Sequence, residues 1–183
     1  MFVVTTTSSG EINLTTGSNE SFSASSNTDY INSIINGEWE SSYTYDSQGK
    51  YLKNIKSYSN NNIFLGEWIQ LNNYKLSNKS DKLYIDQAIK IQIKSERYPE
   101  IISILASNDP NFNKKNNSSV VIYKNKELSP IDDTIIIDMI YPTYSNYAFY
   151  RIIVHKVFTT STNSHNSNVC IENISFFPFI HSS

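Results

Sequence analysis

Three isoleucines, Ile89, Ile91 and Ile93, alternate with Lys90, Gln92 and Lys94. A period of two sends one set to a buried face and the other to a wet one, as an extended strand requires. A helix would scatter the three isoleucines around its circumference. The remainder of the chain must therefore provide further strands to cover that buried face.

Further runs fit this demand. Residues 67–71, 120–123, 134–140, 147–158 and 169–177 are short, rich in β-branched and aromatic side chains, and mostly bounded by Asn, Ser, Asp or Pro. Residues 101–106 follow Pro99, which a first helical turn tolerates. That run is short, Ile-rich and stopped by SNDP at 107–110, so it reads as a strand. Residues 30–35 form a brief apolar patch long enough for one helical turn, ending at Asn36–Gly37, a turn signal. About eight short strands with turn signals between them predict an antiparallel β-sandwich or jelly roll. The 183 residues suit a single domain with a real core. The expected division is a polar N-terminal arm or edge segment over residues 1–20 and one sandwich domain over 21–183.

Composition separates this chain from a disordered one. Hydrophobic content is 39% and charged content 17%, yet there are 13 Tyr and 9 Phe, which disordered chains of such polarity lack. Net charge is −2 and only Arg97 and Arg151 are arginines, which argues against nucleic-acid binding. The single cysteine, Cys170, allows no internal disulfide and reads as a small buried hydrophobe. The start, MFVVTTTSSG, lacks the basic region and apolar length of a signal peptide. No run approaches the ~18 apolar residues of a membrane-spanning helix.

Catalytic patterns are sparse. His155, His165 and His181 lie in separate contexts, none with zinc-motif spacing. His155 falls inside a dense β run and reads as a sheet-face residue. Asp132–Asp133 is the one adjacent acidic pair, and SP at 129–130 before it suggests a turn. The expectation is a protein that is not an enzyme. Trp39, Tyr43, Tyr45, Asp46 and Tyr51 form the densest aromatic stretch. They suit either a platform on which sugar rings stack or a filling for the end of the sandwich.

Five patches, in order, resemble the galactose-binding-like domains of the discoidin type. NSIING at 32–37 is similar to the family's N-A-F-D-G, and GEWIQL at 66–71 to its G-E-W-I-Q-I strand. SILASND at 103–109 is similar to L-L-G-S-N-D, YAFYRIIV at 147–154 to Y-R-Y-Y-R-L-V-V, and VCIENISFF at 169–177 to V-S-I-G-E-L-E-F-Y. The resemblance implies an eight-stranded jelly-roll sandwich in which Ile69 and Leu71 face the core and Trp68 meets a covering segment. It also implies a structural calcium site, but the matching positions are Asn36 and Asn173, which lack the carboxylates calcium prefers. No cofactor is therefore expected, with weak calcium coordination at those two residues as the alternative. The flavour of the resemblance is that of structural and fibre proteins of giant DNA viruses and phage tails. It implies a virion component, a minor capsid or surface-fibre protein made in the host cytoplasm, whose partners are capsid proteins and copies of itself. The alternative is a carbohydrate-binding module for host glycans.

Overall fold

The computed structural model describes residues 12–13, 22–27, 39–72, 84–93, 97–113, 119–138, 147–160 and 167–179. Among them every regular element is a strand: β1 (Ile12–Asn13), β2 (Phe22–Ala24), β3 (Trp39–Glu40), β4 (Lys56–Ser59), β5 (Asn62–Leu65), β6 (Glu67–Asn72), β7 (Tyr84–Gln92), β8 (Pro99–Ser107), β9 (Val120–Glu127), β10 (Thr134–Asp138), β11 (Phe149–Val157), β12 (Cys170–Ile171) and β13 (Asn173–Phe179). No helix among the described residues is long and apolar enough to cross a membrane.

Two antiparallel sheets face each other. One has the order β1-β13-β7-β10 and the other β2-β6-β11-β8-β9. The protein is an all-β sandwich of the jelly-roll kind. The period-two residues fill its interior: Ile91 from β7, Ile135 and Ile137 from β10 and Ile174 from β13 pack against Ile69, Leu71, Ile102, Ile104, Ile152 and Val154 of the opposite sheet. Burying each Ile or Leu contributes about 1.5–3 kcal/mol. Ile69 and Leu71 thus occupy the core, as the resemblance implies.

The central strands of the five-stranded sheet are buried on their other face as well, while the edge strand β9 stays largely exposed. Hairpin β4–β5 and the segment after β8 lie across the central strands, bringing Phe64 and Phe112 onto Leu105, Phe149 and Ile153, with Trp68 packed alongside. Residues 102–107 of β8 are consequently buried without interruption. Burial on both faces explains why that run lacks alternation and resembles a helix segment in sequence. Gln70 is buried too, so β6 hides both of its faces, where the alternation predicts one.

Turns follow from their residues. Asp132 and Asp133 both have positive φ, 48° and 57°, and Ile131 and Thr134 exchange backbone hydrogen bonds across them. This is a two-residue turn of the type that Asp tolerates, so the acidic pair is structural. Asn60, at φ 53°, turns the β4–β5 hairpin. The predicted strand over 169–177 divides at Glu172: Cys170–Ile171 pairs with β3, and β13 pairs with β7. Cys170 is fully buried. The N-terminal residues that are described join the sheets, Ile12 opposite Phe176 and Phe22 opposite Leu71. The one-turn helix considered for 30–35 lies outside the described residues.

Candidate functional site

One end of the sandwich carries the close of β7, β9 and β11 and the opening of β6, β8, β10 and β13, as the strand registers require. Segments 39–55, 97–98, 158–160 and 167–172 gather there. The five aromatic and acidic residues singled out from the sequence all lie in the first of these, but the structure separates them.

Trp39 is 2% exposed, and its Nε1 donates to Ser26 O at 3.1 Å. Tyr45 is fully buried; its hydroxyl donates to Val154 O at 2.8 Å and accepts from the Glu67 amide at 3.2 Å. Desolvation, with the Glu67 charge nearby, holds the Tyr45 pKa well above its ordinary value. Tyr51 packs on Tyr45 with ring centroids 5.3 Å apart, and its hydroxyl accepts from the Ile55 amide. Burial pushes its pKa up to about 12. Asp46 spends its Oδ1 on the amides of Gln48 and Lys50, closing a local turn. Trp39 and Tyr45 therefore fill the end of the sandwich and offer no ring face to a ligand. Tyr43 alone of the aromatics in this segment is exposed, at 63%. Asn36 lies outside the described residues, and Asn173 is placed by its backbone pairing with Gln92.

Glu67, the Glu of GEWIQL, organises this end from below. It is fully buried, and its carboxylate accepts from the hydroxyls of Ser25, Ser26 at 2.7 Å and Thr44 at 3.0 Å. It thereby ties the segment after β2, the loop after β3 and the start of β6 together.

A polar cluster that sequence reasoning missed sits beside Tyr43. Arg97 has φ 65°, an uncommon conformation for a residue of its kind. Two backbone hydrogen bonds hold it there, from its amide to Phe158 O and from the Cys170 amide to its own carbonyl. Its Nη1 donates to Asn168 Oδ1, and its Nη2 lies 3.8 Å from Glu40 Oε1. The Nδ2 of buried Asn168 donates to Glu40 Oε2 at 3.2 Å. Asn27 Nδ2 donates to Glu40 O and accepts at Oδ1 from Ser42 Oγ. Tyr43 follows Ser42 on the segment whose amides at Ser41 and Tyr45 donate to Val169 O and Ser167 O, so it stands across from Asn168. Behind the cluster, Tyr98 stacks on Phe158 at 4.7 Å, and Lys156 pairs with Glu100 at 2.9 Å. The one signal for this cluster in the sequence was the scarcity of arginine: both arginines occupy special environments.

His155 occupies a different place. It is the extra residue where the β11–β8 register shifts between Val154 and Lys156. Such a bulge re-aims a side chain. Its Nδ1 lies 2.6 Å from Leu65 O and its Nε2 2.7 Å from Ser103 Oγ. A carbonyl only accepts, so Nδ1 carries the proton and Nε2 accepts from the Ser103 hydroxyl. Ser103 is fully buried and also accepts from the Asn125 amide. The pair fastens hairpin β4–β5 to the sheet. Desolvation lowers the His155 pKa below 6.5, with the Leu65 hydrogen bond opposing. The unfolded chain thus binds a proton that the folded chain refuses, over the interval between the folded value and 6.5. Stability is complete above that interval and declines as pH falls through it. In urea titrations, the slope of stability against pH below about 6.5 should flatten in His155→Gln. An unchanged slope would assign the pH dependence to other groups.

No family model matches the sequence, and no curated protein matches it. Among solved structures, the chain is similar to chitosan-binding module 1 from the chitosanase/glucanase of Paenibacillus sp. IK-5, at 16% identity, 90% of this chain, 98% of that one and a TM-score of 0.44. A selenomethionine-labelled point mutant of the same module gives 13% identity, 90% and 97% coverage and a TM-score of 0.49. CBM62 from Clostridium thermocellum Xyl5A gives 17% identity, 64% and 71% coverage and a TM-score of 0.40.

Proposed function

We propose that this chain is a non-catalytic glycan-binding module of the galactose-binding-like kind, and that its ligand docks at the end of the sandwich bearing Tyr43. The observation that carries this reading is the position of Tyr43. It is a large exposed aromatic on the segment that also bears Glu40; its neighbour Ser42 donates to Asn27, and the same segment pairs through Ser41 and Tyr45 with the backbone on either side of Asn168, the residue that holds Arg97 and Glu40. Sugar rings present apolar C–H faces that pack on an aromatic ring, and hydroxyls that pair with planar amide, carboxylate and guanidinium groups. Tyr43 provides the first surface and the cluster the second. The reading needs no cofactor.

A glycan array followed by titration of the best ligand tests this. Tyr43→Ala should weaken binding by roughly tenfold and leave the thermal midpoint unchanged, since the ring is mostly exposed. No binding to any glycan at about millimolar protein would overturn the proposal.

A second reading, a minor capsid or fibre component of a virion, is supported by one feature. Ile131 and Ile136 are 77% and 61% exposed, on the turn before β10 and on β10 itself, the edge strand of its sheet. Exposed isoleucines on a sheet edge suit contact with another protein. Capsid proteins and further copies of this chain would be the partners, and assembled virions the location. Copurification with particles in fixed stoichiometry would support it; a strictly monomeric protein with no affinity for particle components would remove it. The two readings are compatible, because a fibre can also bind glycans.

A further inference from the structure

The glycan reading leaves the class of sugar open, and the Arg97–Glu40 pair bears on it. The two side chains are only partly covered, 33% and 39% exposed, and their nearest charged atoms stand 3.8 Å apart. That is too long for a direct hydrogen bond. Each is nonetheless held in place: Asn168, itself buried, donates to Glu40 through Nδ2 and accepts from Arg97 through Oδ1. The pair is therefore a fixed donor beside a fixed acceptor; Glu40 Oε1 also takes a long contact from Cys170 Sγ at 3.8 Å, and among the described residues no group bridges Arg97 Nη2 to Glu40 Oε1. The left-handed backbone of Arg97 adds a second, independent observation. A strained φ at a long polar residue persists where the surroundings impose it, and such strain gathers at ligand sites. Glycine would adopt that backbone without the steric penalty, yet arginine occupies it.

We infer, on the basis of the glycan reading, that Arg97 and Glu40 receive two adjacent ring hydroxyls of a neutral sugar, with Asn168 as the positioning residue. One hydroxyl accepts from Arg97 Nη2, and its neighbour donates to Glu40 Oε1. Adjacent hydroxyls on a pyranose ring are close enough together to span such an edge. Neutrality follows from charge balance. A carboxylate that paired with Arg97 would also stand against Glu40, and an ammonium group that paired with Glu40 would stand against Arg97, so repulsion offsets attraction and the charged group gains nothing for its desolvation. The surrounding charges also cancel, since Lys156 is paired with Glu100. Tyr43 supplies the ring contact, and the Arg97–Glu40 edge selects which ring enters.

Affinity electrophoresis in gels containing galactan, a neutral β-glucan, polygalacturonate or chitosan tests the inference. Periodate-oxidised and reduced galactan and β-glucan, both of the four-linked kind whose backbone rings carry a cleavable vicinal diol, are run alongside. The expected result is retardation by at least one neutral polysaccharide, none by polygalacturonate or chitosan, and loss of retardation after periodate treatment. Arg97→Gly should weaken binding by on the order of tenfold, with a smaller fall in the thermal midpoint than Arg97→Ala, because both variants leave buried Asn168 without its donor and glycine alone relieves the left-handed backbone. Glu40→Gln should weaken neutral binding by a similar factor and relieve the exclusion of polygalacturonate. Retardation by none of the gels would sink the glycan reading itself. Two results would overturn the inference alone: preference for a charged polysaccharide, or periodate-resistant binding that survives Arg97→Gly and Glu40→Gln but is lost in Tyr43→Ala.

Discussion

Arg151→Ala is expected to destabilise the protein by about 3–5 kcal/mol, the largest single-residue effect outside the main core. Arg151 lies on β11 directly opposite Gln70 of β6, on the face covered by hairpin β4–β5. Its guanidinium carbon is 3.8 Å from the Trp68 ring centroid and 4.4 Å from that of Phe112, so two aromatic rings contact it. Its Nε donates to Gln70 Oε1 at 2.8 Å, Nη1 to Ser57 Oγ at 3.0 Å and Nη2 to Pro110 O at 3.4 Å. Among the described residues no carboxylate pairs with it, and desolvation lowers its pKa to about 9, which leaves it protonated at neutral pH. The cation is stabilised by ring faces and neutral acceptors, as a flat, delocalised guanidinium allows. Truncation removes that packing and leaves Gln70 and Ser57 without their donor. Lysine keeps the charge but not the fork, so Arg151→Lys should lose nearly as much. Arg151→Met, which fills the space between the rings, should recover part of the loss. Urea denaturation of the three variants measures this. Wild-type stability in Arg151→Met would mean that packing alone accounts for the role of Arg151.

Gly49→Ala is the second large effect, at about 3 kcal/mol. Gly49 has φ +79°, and a Cβ built on it would stand 1.7 Å from Val157 O and 2.8 Å from Val157 C. Both are backbone atoms of a strand and cannot swing aside. The approach is tight because Gly49 O accepts from the Val157 amide, locking the loop onto the end of β11. Asn60→Ala is the control. It places alanine at φ 53° in the β4–β5 turn and should cost only about 1 kcal/mol, the conformational part alone. Equal midpoints for the two variants in thermal denaturation would show that the clash is relieved by movement. Because this loop also holds Tyr45 in the interior, Gly49→Ala should disturb glycan binding as well.

Legibility in the sequence tracked the pattern of burial. Strict alternation of isoleucine with lysine or glutamine made β7 plain, and Ile91 and Ile93 lie in the core. Where both faces are buried, as in β8, apolar residues run on and strand and helix look alike. Hairpin β4–β5 escaped notice because its inward residues on β4 are Ser57 and Ser59, polar groups that carry no apolar signal. The aromatic stretch was ambiguous for another reason. Tyr43 and Tyr45 are two residues apart and would share a face of a regular strand, yet one is exposed and the other is in the core. Segment 41–45 touches its neighbours through isolated backbone bonds, not a continuous ladder, so parity does not decide direction.

By itself the sequence determined the class of fold, the strands that line the interior, the turn at Asp132–Asp133 and the burial of Cys170. These depend on local periodicity and on the φ preferences of single residues, which neighbours along the chain express. Only the tertiary structure decided that the central strands of the second sheet are covered on both faces, that Trp39 and Tyr45 are interior while Tyr43 is not, and that Arg97 meets Glu40 and Asn168. Those outcomes depend on contacts between residues far apart in the chain, 71 positions for Arg97 and Asn168. Such contacts arise from strand register and loop closure, and no local pattern encodes them.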